Sequence, residues 1–79
     1  PILKNALIIE FFDSVGIYIN TPPYFDKDAK YNRGFECFVI QDNSNVIFDI
    51  DNEGDVFNLR KEATEQAIKK ANEIYNSLA

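Results

Sequence analysis

Phe35-Glu36-Cys37-Phe38-Val39-Ile40-Gln41-Asp42-Asn43-Ser44-Asn45-Val46-Ile47-Phe48-Asp49-Ile50-Asp51 is the stretch on which the fold turns. Two runs of β-branched and aromatic residues flank Asp42-Asn43-Ser44-Asn45, four residues with turn chemistry. Pairing Gln41 with Val46 sets Ile40 against Ile47, Val39 against Phe48, Phe38 against Asp49, Cys37 against Ile50 and Glu36 against Asp51. Side chains alternate between the faces of a strand. Cys37, Val39, Phe48 and Ile50 therefore share one face, and Glu36, Phe38, Ile40, Ile47, Asp49 and Asp51 share the other. A slip by one residue would destroy that sorting, so the register is well specified.

Downstream, Asp51-Asn52-Glu53-Gly54 reads as a second turn of type I or bulge character. It leads into a strand over about 55–59, with Phe57 facing Phe48 and Leu59 facing Val46. Asn58 can cap a helix over about 60–78, in which Ala63, Ala67, Ile68, Ala71, Ile74, Tyr75 and Leu78 recur at helical spacing. Small alanines let such a helix lie close to a sheet.

Upstream, the apolar runs 6–12 and 15–20, interrupted by Asp13-Ser14, read as a hairpin with Leu7, Ile9, Phe11, Ile17 and Ile19 on one face. Pro22-Pro23 then stops the strand, since proline offers no N–H and restricts its predecessor. Residues 21–34 read as a long loop carrying Tyr24, Phe25 and Tyr31 beside Lys27, Lys30 and Arg33. The expected class is α+β: one domain over residues 1–79, a four- to five-stranded antiparallel meander with one C-terminal amphipathic helix packed on one face.

Several chemistries drop out. The chain has no histidine and one cysteine, which removes the common zinc patterns and any internal disulfide. Cys37 falls on the inferred core face between Phe35 and Val39, where a thiol behaves as a small hydrophobe. Asp49, Asp51, Glu53 and Gly54 imitate the opening of an EF-hand loop, but the twelfth position, which needs a bidentate glutamate, is Arg60. No glycine-rich phosphate loop and no apolar run long enough for a membrane span is present. The expectation is a non-enzymatic protein without cofactor or metal, in a reducing cytoplasm, with a small enzyme or ligand-binding domain as the lesser alternative. Ten Ile and nine Asn suggest an A/T-rich source genome, bacterial or phage.

The net charge of −5 is unevenly placed. Residues 34–59 hold Glu36, Asp42, Asp49, Asp51, Glu53 and Asp55 with no Lys or Arg. Residues 1–33 balance four acids against four bases, and residues 60–79 carry three acids and four bases. Direct nucleic-acid binding is disfavoured by an acidic footprint. A solvated surface and guarded strand edges would explain the acids plainly. A basic partner would explain them functionally, through steering and complementarity.

One helix cannot cover both faces of a sheet. The apolar residues left on the far face imply a homodimer, a hetero-complex, a larger assembly in which the chain is a structural subunit, or loop 21–34 folded over them. An apolar centre with an acidic border has the anatomy of a protein interface. The expected partner-binding set is Glu36, Phe38, Ile40, Ile47, Asp49 and Asp51, with Tyr24, Phe25 and Tyr31 from the loop. Its most specific form is an inhibitor that occupies a basic, nucleic-acid-binding site on another protein.

Overall fold

The structure, a computed structural model, describes residues 2–26 and 31–78. Its architecture is α+β: an N-terminal helix, antiparallel strands in two small sheets, and a C-terminal helix. The elements are α1 (Ile2–Ser14), β1 (Ile17–Asn20), β2 (Pro23–Asp26), β3 (Tyr31–Phe35), β4 (Phe38–Gln41), β5 (Val46–Asp49) and α2 (Arg60–Leu78).

The central hairpin has the register its side-chain alternation demands. Gln41 pairs with Val46, Ile40 with Ile47, Val39 with Phe48 and Phe38 with Asp49. A single 3-10 turn, Asp42–Ser44, connects the strands, and Asn45 closes it in the left-handed region at φ 53°. Asparagine tolerates that conformation better than most residues.

Residues 6–12 do not form a strand. They lie inside α1, and the expected hairpin with residues 15–20 is absent. A short apolar run has no decisive period, so length and the stop signal must arbitrate. The stop signal is Gly16, which takes φ 79° just beyond the helix, where a left-handed glycine ends helices. Its N–H donates to the Asp13 carbonyl at 3.3 Å, and the Val15 N–H donates to the Phe12 carbonyl at 3.0 Å. Freed from that hairpin, β1 pairs antiparallel with β4, giving the sheet order β1-β4-β5.

The loop expected over 21–34 is largely structured. β2 and β3 pair as a second, two-stranded sheet, with a bulge between Tyr24 and Phe25. The strand expected over 55–59 reduces to one bridge, Phe57 with Phe35 and not Phe48. Both of its hydrogen bonds form: Phe35 N–H to the Phe57 carbonyl at 2.7 Å and Phe57 N–H to the Phe35 carbonyl at 2.9 Å. The preceding turn is Asn52-Glu53-Gly54-Asp55, one residue later than the sequence suggested. Positive φ at both Glu53 and Gly54 makes it the primed kind that matches strand twist. The C-terminal helix spans residues 60–78 as expected, with Leu59 rather than Asn58 next to its first residue.

Ile17, Cys37 and Val39 are fully buried on the inner face of the three-stranded sheet. Ala63, Ala67, Ala71 and Ile74 of α2 pack there, with Phe12 of α1 and Phe57 completing the cluster. The alanine stripe permits close approach, so the Cys37 thiol reaches across and donates to the Ala63 carbonyl at 3.2 Å.

Candidate functional site

Both helices pack on the inner face, so the outer face of the sheet must be read from the register. One cross-strand row there is Tyr18, Ile40 and Ile47. The next is Asn20, Phe38 and Asp49. Ile47 is 66% exposed, Tyr18 is exposed, and Phe38 and Ile40 are half-buried. Three expected apolar contacts, Phe38, Ile40 and Ile47, therefore lie side by side. Tyr18 joins them unannounced, although alternation with Ile17 and Ile19 already placed it on this side.

Beside that strip lies a cleft of about 360 Å³, lined by Tyr24, Arg33, Glu36, Asp49, Asp51 and Asp55 among others. Its geometry follows from the backbone. The Phe35–Phe57 bridge ties the root of the β2–β3 hairpin to the chain entering α2. The Glu36 N–H donates to the Pro22 carbonyl and the Ile50 N–H to the Cys37 carbonyl, both at 2.9 Å. These bonds hold residues 33–36 and 49–56 as opposite walls. At Gly34, with φ 145°, a Cβ would collide with the Phe57 carbonyl and a Val56 methyl. Glycine alone lets the two walls approach this closely.

Four of the expected residues, Tyr24, Glu36, Asp49 and Asp51, meet in this cleft. Asp49 belongs both to the cleft and to the outer row containing Phe38, so the acidic and apolar surfaces are continuous. Phe25 sits on β2, 60% exposed, and does not line the cleft. Tyr31 stands opposite Asp26 in the hairpin ladder, but its side chain, like Lys27 and Lys30, lies outside the described residues. Sequence reasoning missed Arg33 and Asp55 as lining groups. They form an ion pair at 3.5 Å between largely exposed side chains, an arrangement that contributes little to stability. With Arg33 engaged by Asp55, the Glu36, Asp49 and Asp51 carboxylates outnumber the cations among the described residues that line the cleft.

Nucleophilic chemistry has no foothold at Cys37. Burial, and secondarily the Asp49 carboxylate, pushes its thiol up to about 11. It is protonated at neutral pH, whereas the reactive species is the thiolate. Arg60, at the position where an EF-hand would need its last ligand, lies over the Phe35 ring at 4.7 Å. No cluster of three metal-ligating side chains occurs among the described residues, and none of their helices is long and apolar enough to cross a membrane.

The chain matches no protein-family model, and no curated protein or solved structure is significantly similar to it.

Proposed function

We propose that this chain is a small, non-enzymatic interaction module that binds a basic protein partner through the acidic cleft and the apolar strip beside it. One observation carries the reading: Glu36, Asp49 and Asp51 surround a concave site that is continuous, through Asp49, with Phe38, Ile40 and Ile47. Carboxylates steer and orient a cationic partner, while desolvated apolar contacts supply the bulk of the affinity. The cleft admits the ends of Lys or Arg side chains and, in Tyr24, offers an aromatic surface on which a guanidinium can stack. The more specific form is an inhibitor that covers a nucleic-acid-binding surface, supported by the six acids without one base in residues 34–59. A reducing cytoplasm suits the single buried thiol.

Affinity capture from a lysate of the source cell, eluted with a salt gradient, tests this. A genuine partner should be basic, should elute as ionic strength rises, and should be lost with Asp49→Lys/Asp51→Lys and with Ile47→Asp. Competition by single- or double-stranded DNA for the captured protein would identify the inhibitor form. Capture indifferent both to salt and to these substitutions would remove the proposal.

A further inference from the structure

The opposite side of the molecule carries a second uncovered surface, built by the two helices. α1 contains Lys4, Glu10 and Asp13 as its charged residues and is otherwise apolar round much of its circumference. A helix of that kind is normally enclosed. Here Phe12 is buried, Ile8 and Ile9 are half-buried, and Leu7 and Phe11 remain 58% and 47% exposed. They flank a groove of about 480 Å³ between α1 and α2, whose other wall includes Ile68 and Tyr75. The Phe11 and Tyr75 rings meet edge to face at 5.3 Å across it. Leu78, one turn beyond Tyr75, is 50% exposed.

We infer that this groove is a self-association surface, occupied by the same groove of a second copy with the two α1 helices antiparallel. Charge selects that occupant. Residues 34–59 hold six acids and no base, whereas α1 and α2 together carry five acids and five bases. The helical side is therefore where two copies of a net-negative protein approach without setting their acidic surfaces against each other. The exposed stripe of α1 is also self-complementary. Lys4, Leu7, Phe11 and Ser14 fall at spacings of three, four and three residues, on one face of the helix. Antiparallel pairing places Leu7 against Phe11 of the second copy, twice by symmetry. It carries each Lys4 ammonium to the C-terminal end of the other helix, opposite Ser14, where the helix dipole favours a cation, one turn from that copy's Glu10.

The area agrees. At about 200 Å² per side chain, the exposed fractions of Leu7, Phe11, Tyr75 and Leu78 amount to roughly 400 Å². A standard interface buries about 800 Å² per partner, a little over half of it apolar. The groove supplies the apolar share and leaves the polar rim to Lys4, Glu10, Asn72 and Asn76.

Sedimentation equilibrium of the chain from about 1 μM to 1 mM, at low and at high salt, tests the inference. The expected result is a monomer–dimer equilibrium that persists at high salt, unlike the capture proposed for the acidic cleft, which elutes as ionic strength rises. Leu7→Asp should weaken the dimer about a hundredfold or more, since the contact is lost twice. Lys4→Glu should weaken it about tenfold while keeping the fold by circular dichroism, and Lys4→Glu/Glu10→Lys should restore it. A monomer at 1 mM overturns the inference, whatever else then proves to fill the groove. So does a dimer that survives both Leu7→Asp and Lys4→Glu but dissociates with Ile47→Asp.

Discussion

Two glycines show how differently the same residue can be required. Gly34 and Gly54 both take positive φ, 145° and 88°. At Gly54 the space around an added Cβ is empty, whereas at Gly34 it would strike the backbone of Phe57. Gly54→Ala should cost about 1 kcal/mol from conformation alone. Gly34→Ala should cost at least about 2 kcal/mol more, because the Phe35–Phe57 bridge must also part. Urea titration at constant m-value measures both, and similar costs for the two would show that the bridge does not set the approach. Cys37 offers a pH signature. Its folded pKa, about 11, lies above its ordinary value of 9.0. The folded chain holds this proton more tightly than the unfolded chain. The contribution is therefore complete below pH 9 and disappears as pH climbs to about 11, a loss of about 2–3 kcal/mol. Cys37→Ala should flatten the stability profile in that window. A slope unchanged by the substitution would remove Cys37 as its source.

At the scale of elements, α2 and the central hairpin were legible because each carries a period that nothing else imitates. The alternation through residues 35–51 admits one register, and Ala63, Ala67 and Ala71 mark one face of a helix. Their size sets the distance to the sheet: all three are fully buried, and Cys37 reaches the Ala63 carbonyl. Ala67→Leu should therefore overpack the layer and cost about 1–3 kcal/mol, seen as a lower melting temperature. A neutral effect would mean that the helix can ride outward. α1 was not legible as a helix, because Leu7, Ile8, Ile9, Phe11 and Phe12 are nearly continuous and satisfy two periods at once. Gly16 was the available clue, since a glycine just past an apolar run fits a helix end as well as a turn. Reading that run as a strand gives β1 the wrong partner, since its true one lies about twenty residues away in β4, beyond any local signal. The β2–β3 hairpin stayed hidden for another reason: Pro22-Pro23 reads as a stop, yet Pro23 is acceptable as the first residue of a strand. The outer-face strip was visible beforehand, because it follows from alternation alone. The cleft was not, because Arg33 and Asp55 meet only through the tertiary path set by the Phe35–Phe57 bridge.

Across the whole molecule, the two uncovered surfaces differ in kind. One is acidic and concave beside a flat apolar strip; the other is an apolar groove with a nearly neutral rim. Concentrating like charge around one cleft works against folding, because among the described residues Glu36, Asp49, Asp51 and Asp55 share Arg33 as the single cationic side chain of the lining. Binding sites commonly trade stability for function, and the proposed site would follow that pattern. Asp51→Asn separates the two demands. It removes one charge at almost constant shape, so it should raise the melting temperature by a few degrees at low salt, and the gain should shrink as added salt screens the remaining carboxylates. The same substitution should weaken capture of a basic partner. If Asp51→Asn instead lowers the melting temperature at every salt concentration, that carboxylate is holding the turn together, and the cleft loses its claim to be a site kept at a cost.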